Sequence, residues 1–226
     1  MSDSKTYLDT VNAVLVRLRE DKVVSVNGTD DVVVDLVKEF VNDAKRTVED
    51  AHTWSALQHE WAVDLGVLPS AEGVLTGSFG SVIIDYVMDS EGRVLANRPL
   101  QDINRRIILN GSTSTLAPSY WAVSGKNVNG TSLETKIRFD CLVDSSQNPI
   151  TVYGYQPQRD LVLDGDIMMV PSKPVIYLAE AMAARERGEV GGQSAGELMA
   201  IAQGYISDAI AIDSTNSNLD NIWTTV

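Results

Sequence analysis

The spacing of apolar residues changes twice along this 226-residue chain, and those changes constrain its fold more than any other feature. Apolar residues recur every three to four positions over residues 1–57, alternate with polar residues over 58–171, and return to helical spacing over 172–212. Helices and strands require these two different periods. The pattern predicts an α+β fold: a helical bundle built from the N- and C-terminal helices with an inserted β-rich domain, followed by an extended tail over 213–226.

The two N-terminal helices have recognisable start signals. Thr6 and Asp9 have the spacing of a capping box, in which each side chain accepts a hydrogen bond from the other residue's backbone. Thr29 or Asp30 can cap the second helix by accepting from a free N–H group of its first turn. This helix is predicted to pack through a seam of Val33, Val37, Phe40, Ala44, Thr47 and Ala51. A seam this narrow indicates packing against other helices.

The middle region has the features of strands joined by turns. Trp61, Val63 and Leu65 fall on one face of a strand, with polar or small residues between them. Cys141 lies in another alternating run, and because it is the only cysteine we expect a small buried side chain without a disulfide. These patterns predict strands with one buried face.

Helical signals return near the C-terminus. Pro174 suits the first turn of a helix that runs to about Arg187, and a final helix is predicted from about Ser194 to Ile212. The polar residues that begin at Asp213 favour their own backbone as hydrogen-bond partners, so we expect the helix to end there.

The chain is acidic along its whole length, with a net charge of −13. Such a surface repels DNA phosphates, because nucleic-acid affinity depends on Lys and Arg displacing counterions. The sequence has no run of eighteen apolar residues, and the polar start from Met1 to Lys5 does not resemble a signal peptide. We therefore expect no membrane association and no specific nucleic-acid binding.

The residues that most often carry catalysis or bind metals have no recognisable spacing here. His52 and His59 do not form a metal-ligand motif, and nothing local brings either of them to Cys141. A phosphate-binding loop and a nucleophile elbow are also missing from the sequence. The sequence predicts no catalytic, cofactor-binding or metal-binding residue, and therefore a protein that is not an enzyme and needs no cofactor.

Asp160, Asp164 and Asp166 lie close together in a short segment. Hard cations prefer carboxylate oxygens, but the segment lacks the ligand spacing of a calcium loop. A tight turn after a strand is the favoured interpretation, and cation binding stays open.

The tail is predicted to be a docking arm. Residues 213–218 are all polar, and Leu219, Ile222 and Trp223 then form a compact apolar group. A polar spacer followed by an apolar cluster suits attachment to a partner protein. The alternative is that Trp223 folds back onto its own domain.

Several short motifs resemble those of phage connector proteins. One is Leu8-x-x-Val11-Asn12-x-x-Leu15, followed by a long helix that Trp54 closes. The others are Ile150-Thr-Val-Tyr-Gly-Tyr-Gln-Pro157, residues 161–166, Val170-Pro171 before an alanine-rich helix, and Pro118-Ser-Tyr-Trp-Ala-Val123. Together they resemble the tail tubular protein A, or adaptor, family of short-tailed phages. The segment 66–111 has no counterpart in this resemblance.

The resemblance implies a structural virion protein at the head–tail junction, made in the host cytoplasm. It would form a homo-oligomeric ring, usually of twelve copies, between the portal protein and the tail tube or nozzle protein. Genomic DNA would pass through the ring without specific binding. A ring also suits the predicted rigid helices, because a heterologous interface needs two complementary lateral faces.

Three other functions fit the same sequence. The nearest alternative is a head-completion or tail-terminator protein of a long-tailed phage, which would also form a ring but with different neighbours. A small hydrolase with an active site assembled from distant residues is a candidate from another class. A host-binding or carbohydrate-binding β-module is the third, and the helical ends make it the least favoured.

Overall fold

The computed structural model describes residues 5–28, 31–110, 117–129, 132–146, 148–188 and 195–217. The chain divides into two compact units. Residues 1–57 and 158–226 form one, here called the helical unit, and residues 58–157 form the other, here called the barrel unit. The helical unit is therefore built from both ends of the chain and the barrel unit from one continuous segment.

In the described part of the helical unit, one of four α-helices packs against the other three. The unit's helices are α1 (Tyr7–Arg17), α2 (Val32–Asp50), α4 (Ser172–Arg187) and α5 (Ala195–Ser217), with a short 3₁₀ turn at Ser55–Leu57. Helix α4 packs against α1, α2 and α5. Its sequence is rich in alanine and aliphatic residues, and Val175, Leu178 and Ala179 are among its buried residues. Small side chains on several sides of α4 allow three helices to approach it.

The helix starts agree only partly with the sequence. The capping box is confirmed, because Asp9 N–H donates to Thr6 Oγ1 at 3.1 Å and Thr6 N–H donates back to the Asp9 carboxylate. The predicted caps of α2 are wrong. Asp31 is the N-cap and accepts from the N–H of Val33 at 2.8 Å, and the predicted Thr29 and Asp30 lie outside the described residues.

The buried face of α2 also differs from the predicted seam. Val37 and Ala44 are buried as predicted, but Thr47 is exposed and Phe40 is only half-buried. The buried apolar positions are Val34, Val37, Val41, Ala44 and Val48. The same face also buries Lys45 and Glu49. Because charged residues are expected at the surface, these two made the buried face of α2 hard to recognise in the sequence. Phe40→Ala should therefore cost less than the loss of a fully buried ring.

The barrel unit is a closed, seven-stranded β-barrel. Its strands are β1 (Gln58–Asp64), β2 (Ser70–Leu75), β3 (Ile83–Met88), β4 (Val94–Asn97), β5 (Tyr120–Asn129), β6 (Ser132–Val143) and β7 (Thr151–Tyr155). Their order around the barrel is β1, β2, β6, β5, β4, β3, β7, and β7 pairs with β1. Among the described strand pairs only β4 and β5 are parallel, and helix α3 (Leu100–Asn110) connects them. A parallel pair needs such a crossover.

Side chains fill the barrel interior. Trp61 and Val63 of β1 are buried with Leu65 after them, which confirms the predicted face of this strand. Cys141 is buried in β6, as expected. Twelve buried residues form the core: Trp61, Val63, Leu65, Leu75, Val87, Leu95, Trp121, Ile137, Phe139, Val143, Ile150 and Val152. The interior is therefore a packed core, as in other small barrels.

The predicted fold class, a helical bundle with an inserted β-rich domain, is wrong. The described chain contains a closed seven-stranded barrel and five α-helices. Alternation within each strand shows which face is buried, but it does not specify that β1 pairs with β7 across about 90 residues and closes the sheet. Helix α3 was missed because turn signals surround it and Ile108 and Leu109 lie exposed on its surface.

Two predicted boundaries also differ from the structure. Residues 158–171, predicted to belong to the β-rich region, lie in the helical unit. Helix α5 continues past Ile212 to Ser217. The hydroxyl of Thr215 donates to the carbonyl of Ala211 at 2.8 Å, and Asp213 accepts from Ser55, so these polar side chains have partners that are compatible with a helix. No helix in the described part of the chain is long and apolar enough to span a membrane.

Candidate interaction surfaces

The predicted docking residues Leu219, Ile222 and Trp223 lie outside the described residues. The helix that precedes them reaches Ser217, so residues 213–217 are helical and not the irregular spacer that the sequence predicted. Docking by these three residues stays a prediction.

The three aspartates of the segment 160–166 each have protein partners. Asp166 Oδ2 accepts from the N–H groups of Val162 and Leu163, both at 2.7 Å. Asp164 Oδ1 accepts from Val26 N–H at 2.7 Å, and Asp160 Oδ1 accepts from Arg46 Nε at 3.1 Å. The two Asp166 bonds agree with the turn interpretation, because they close a turn within the segment. Asp164 instead joins the segment to the backbone of Val26, and Asp160 joins it to the side chain of Arg46.

The same segment belongs to a longer loop, residues 158–170, that is held in place along its length. From α2, Asn42 donates to the carbonyl of Leu161 and accepts from its N–H, at 3.1 and 2.9 Å. From the start of α1, Tyr7 N–H donates to Asp166 O at 2.8 Å. Within the loop, Gln158 Nε2 donates to Ile167 O at 2.6 Å. These bonds fix the loop conformation before any partner binds.

The 158–170 loop nevertheless exposes apolar side chains. Leu161, Met168 and Val170 are buried beneath it. Four apolar side chains on its surface are 42–62% exposed: Val162, Leu163, Ile167 and Met169. Exposed single apolar residues are common, so the presence of four on one hydrogen-bonded loop makes this loop only a candidate for a protein-binding surface.

A second surface of the helical unit concentrates positive charge. Two adjoining concave regions share Lys5 and Arg17 and also include Lys22 and Lys173, against one lining carboxylate, Asp9. In a chain with 18 basic and 31 acidic residues, this is an unusual grouping. We call it the basic cleft.

Two tyrosines hold cations of the basic cleft in defined positions. The Arg17 guanidinium lies 3.9 Å from the centre of the Tyr177 ring, and Lys173 Nζ lies 3.8 Å from that of Tyr205. The two rings are 4.6 Å apart. The hydrogen bond from Arg17, followed by that from Tyr205, lowers the pKa of the Tyr177 hydroxyl, as expected where positive charge prevails. Arg17 also pairs with Glu180 at 2.8 Å.

The structure places a serine, a histidine and an aspartate together near the end of α2. Ser55 Oγ donates to Asp213 Oδ1 at 2.6 Å, and His52 Nε2 lies 3.3 Å from Asp213 Oδ2. In a catalytic triad the serine donates to the histidine, which becomes its base. Here the carboxylate, and not the histidine, accepts the serine's hydrogen bond, so the arrangement joins α5 to the end of α2 and differs from a triad.

The other candidate catalytic residues lie in the barrel unit. His59 is exposed and stacks on Trp61 with ring centres 5.3 Å apart, and Cys141 is buried in β6. Among the described residues, no three His, Cys, Asp or Glu side chains are grouped so as to hold a metal ion.

Comparison with models of known protein families gives no match, and no curated protein matches the chain. The resemblance to phage adaptors therefore rests on the short motifs around Leu8, Trp121, Ile150 and Val170.

The sequence did not reveal either surface. The exposed residues of the 158–170 loop stand beside turn residues, and nothing local distinguishes Leu163 from the buried Leu161. The basic cleft combines Lys5 with Lys173, which are far apart in sequence and belong to different helical segments. The packing of α1 against α4, together with the bond from Met168 N–H to Lys5 O at 3.1 Å, brings them together.

Proposed function

We propose that this chain is a non-catalytic structural subunit of a phage virion. In this proposal it forms a homo-oligomeric ring at the head–tail junction, between the portal protein and the tail tube or nozzle protein. Genomic DNA passes through the ring without specific binding. The chain is made in the host cytoplasm and acts in the virion.

The 158–170 loop is the observation that carries this proposal. Hydrogen bonds from α1, α2 and its own side chains hold its backbone, while Val162, Leu163 and Ile167 are exposed. A loop ordered in advance loses little conformational entropy on binding, so its apolar surface can contribute fully to association. The loop also coincides with residues 161–166, which are part of the resemblance to phage connectors.

The charge of the chain supports the proposed relation to DNA. A net charge of −13 disfavours adhesion to phosphates, whereas a protein that grips DNA needs an excess of Lys and Arg. A conduit for DNA ejection must allow the duplex to slide. The acidic composition suits that requirement.

Replacing Leu163 and Ile167 together with aspartate should abolish binding to portal-containing particles. Both side chains are about 60% exposed, so the variant should fold, while two charges on the loop would oppose an apolar contact. Binding is measured by co-sedimentation with particles and by electron microscopy of the ring. The matched control is Val94→Asp with Val128→Asp, at two apolar positions of the barrel unit that are 64% and 73% exposed.

The proposal is wrong if the wild-type chain forms no ring on portal-containing particles. It also fails if the double loop variant binds them at wild-type occupancy. Attachment to a tail tube terminus instead of a portal would favour a tail-terminator protein of a long-tailed phage.

Deleting residues 219–226 should leave the melting temperature nearly unchanged and abolish co-assembly with the portal. The bonds between Asp213 and Ser55 precede the deleted segment, so they remain. Loss of Leu219, Ile222 and Trp223 removes the predicted apolar anchor. Because every copy in a ring loses it, the attachment of the whole ring to the portal weakens strongly. The measurements are differential scanning calorimetry and particle occupancy. Normal occupancy of the truncated chain would refute docking by the tail.

A further inference from the structure

The basic cleft has an acidic counterpart on the outer face of α2. Asp31, Asp35, Glu39 and Asp43 are all exposed and recur every four residues, so they form a row along one side of the helix. The row spans about 18 Å at 1.5 Å per residue. Lys38 pairs with Asp35 and Arg46 with Asp43, which leaves the row acidic by two charges, counting four carboxylates against two bases. We call it the acidic row.

We propose that the basic cleft of one copy receives the acidic row of a second copy of this chain. This inference rests on the proposed ring and identifies the two lateral faces that close it. The cleft and the row share no residue, so one copy can use both at the same time, each on a different neighbour. Such contacts join subunits head to tail, and they form a ring when the rotation closes.

The geometry of the cleft suits a fixed protein surface. The rings of Tyr177 and Tyr205 hold Arg17 and Lys173 at 3.9 and 3.8 Å from their centres, so these cations lose little further freedom on binding. Lys22 and Lys173 are exposed and can reach a partner. Tyrosine and arginine are also the residue types that most often dominate protein interfaces.

A second copy is a better occupant than DNA. The excess of 13 acidic charges on the whole chain repels a polyanion at long range. A neighbouring copy instead presents its acidic row to the cleft while its other surfaces remain outside the contact. The chain itself therefore supplies both complementary faces.

The test uses charge reversal on each face. One variant carries Lys22→Glu and Lys173→Glu in the cleft, and the other carries Asp35→Lys and Glu39→Lys in the row. Each alone places like charges against each other, and the protein concentration needed for half-maximal ring formation should rise about tenfold or more. Mixed in equal amounts, the two variants should restore rings, because each reversed face then meets its complement on alternate subunits.

Matched controls carry the same changes in net charge on the barrel unit. Arg98→Glu with Arg105→Glu matches the cleft variant, and Asp85→Lys with Asp102→Lys matches the row variant. All four positions are exposed. Ring formation on portal-containing particles is measured by electron microscopy, with melting temperature as the folding control. If the reversed cleft variant does not fold, the neutral Lys22→Gln and Lys173→Gln pair replaces it. The neutral Asp35→Asn and Glu39→Gln pair replaces a row variant that does not fold.

Each outcome decides between the two proposals. If wild-type chains form no ring, the proposed function fails and this inference with it. If wild-type rings form but the cleft variants assemble normally, the inference alone is wrong. Loss of assembly without rescue in the mixture would show that the acidic row is not the partner. If the wild-type chain binds duplex DNA, and the cleft variant loses that binding while its rings stay intact, the cleft is assigned to nucleic acid and the inference is refuted.

Discussion

Replacing Glu49 with alanine should lower the free energy of unfolding of the helical unit by about 3–5 kcal/mol. Lys45 and Glu49 are both buried on α2, and Lys45 Nζ lies 3.1 and 3.2 Å from the two carboxylate oxygens of Glu49. The same ammonium donates to Gln158 O at 2.8 Å. Removing the carboxylate leaves a buried positive charge with only a carbonyl as partner, and that charge is strongly unfavourable.

The double replacement Lys45→Met with Glu49→Leu provides the control. Burial raises the pKa of the Glu49 carboxyl even though Lys45 lies beside it, so desolvation outweighs the attraction between the two charges. Two apolar side chains of similar volume avoid that desolvation. We expect the double variant to be more stable than Glu49→Ala in urea denaturation. A Glu49→Ala variant that lost less than about 1 kcal/mol would contradict a buried, uncompensated ammonium.

Replacing Trp121 with alanine should destabilise the barrel unit by about 3–5 kcal/mol. Trp121 is 2% exposed and belongs to the core inside the barrel. Its Nε1 donates to Leu95 O at 3.1 Å, and its strand is paired in parallel with the strand of Leu95. Truncation removes the largest type of side chain from the core and leaves a cavity at the parallel pair.

Trp121→Phe separates packing from the hydrogen bond. Phenylalanine retains most of the ring volume but leaves the Leu95 carbonyl without the indole donor, so a smaller loss of about 1–3 kcal/mol is expected. Calorimetry of both variants tests this order. Equal losses would mean that the hydrogen bond, and not the packed volume, accounts for the role of Trp121.

Local elements of the fold were predictable where the sequence pattern and the buried face coincide. The capping box at Thr6 and the strand face of Trp61 and Val63 are examples, because both depend on neighbours within a few residues. Closure of the barrel depends on pairings such as β1 with β7, which are distant in sequence. The predicted packing seam of α2 differs from the observed one because Lys45 and Glu49 are buried together. A search for apolar residues at helical spacing cannot find a buried face that contains two charged residues.

The interaction surfaces could not be predicted for a related reason. The exposure of each side chain in the 158–170 loop depends on whether it faces the rest of the helical unit. Leu161 is buried and Leu163 is exposed, although both are leucines. Lys173 becomes part of a candidate basic surface because Arg17 and Lys5 lie near it in the folded unit. The net charge of the chain gave no sign of a local basic surface.

The division of the chain between one continuous unit and one discontinuous unit has a consequence for biosynthesis. Residues 58–157 leave the ribosome as a complete barrel unit, whereas α1 and α2 must wait for α4, against which both pack. At 5–20 residues per second, synthesis of residues 58–157 alone takes roughly 5–20 s. During that interval the valines of the α2 face have no tertiary partner in α4. Nascent chains of this protein should therefore depend on a holding chaperone until translation passes Arg187.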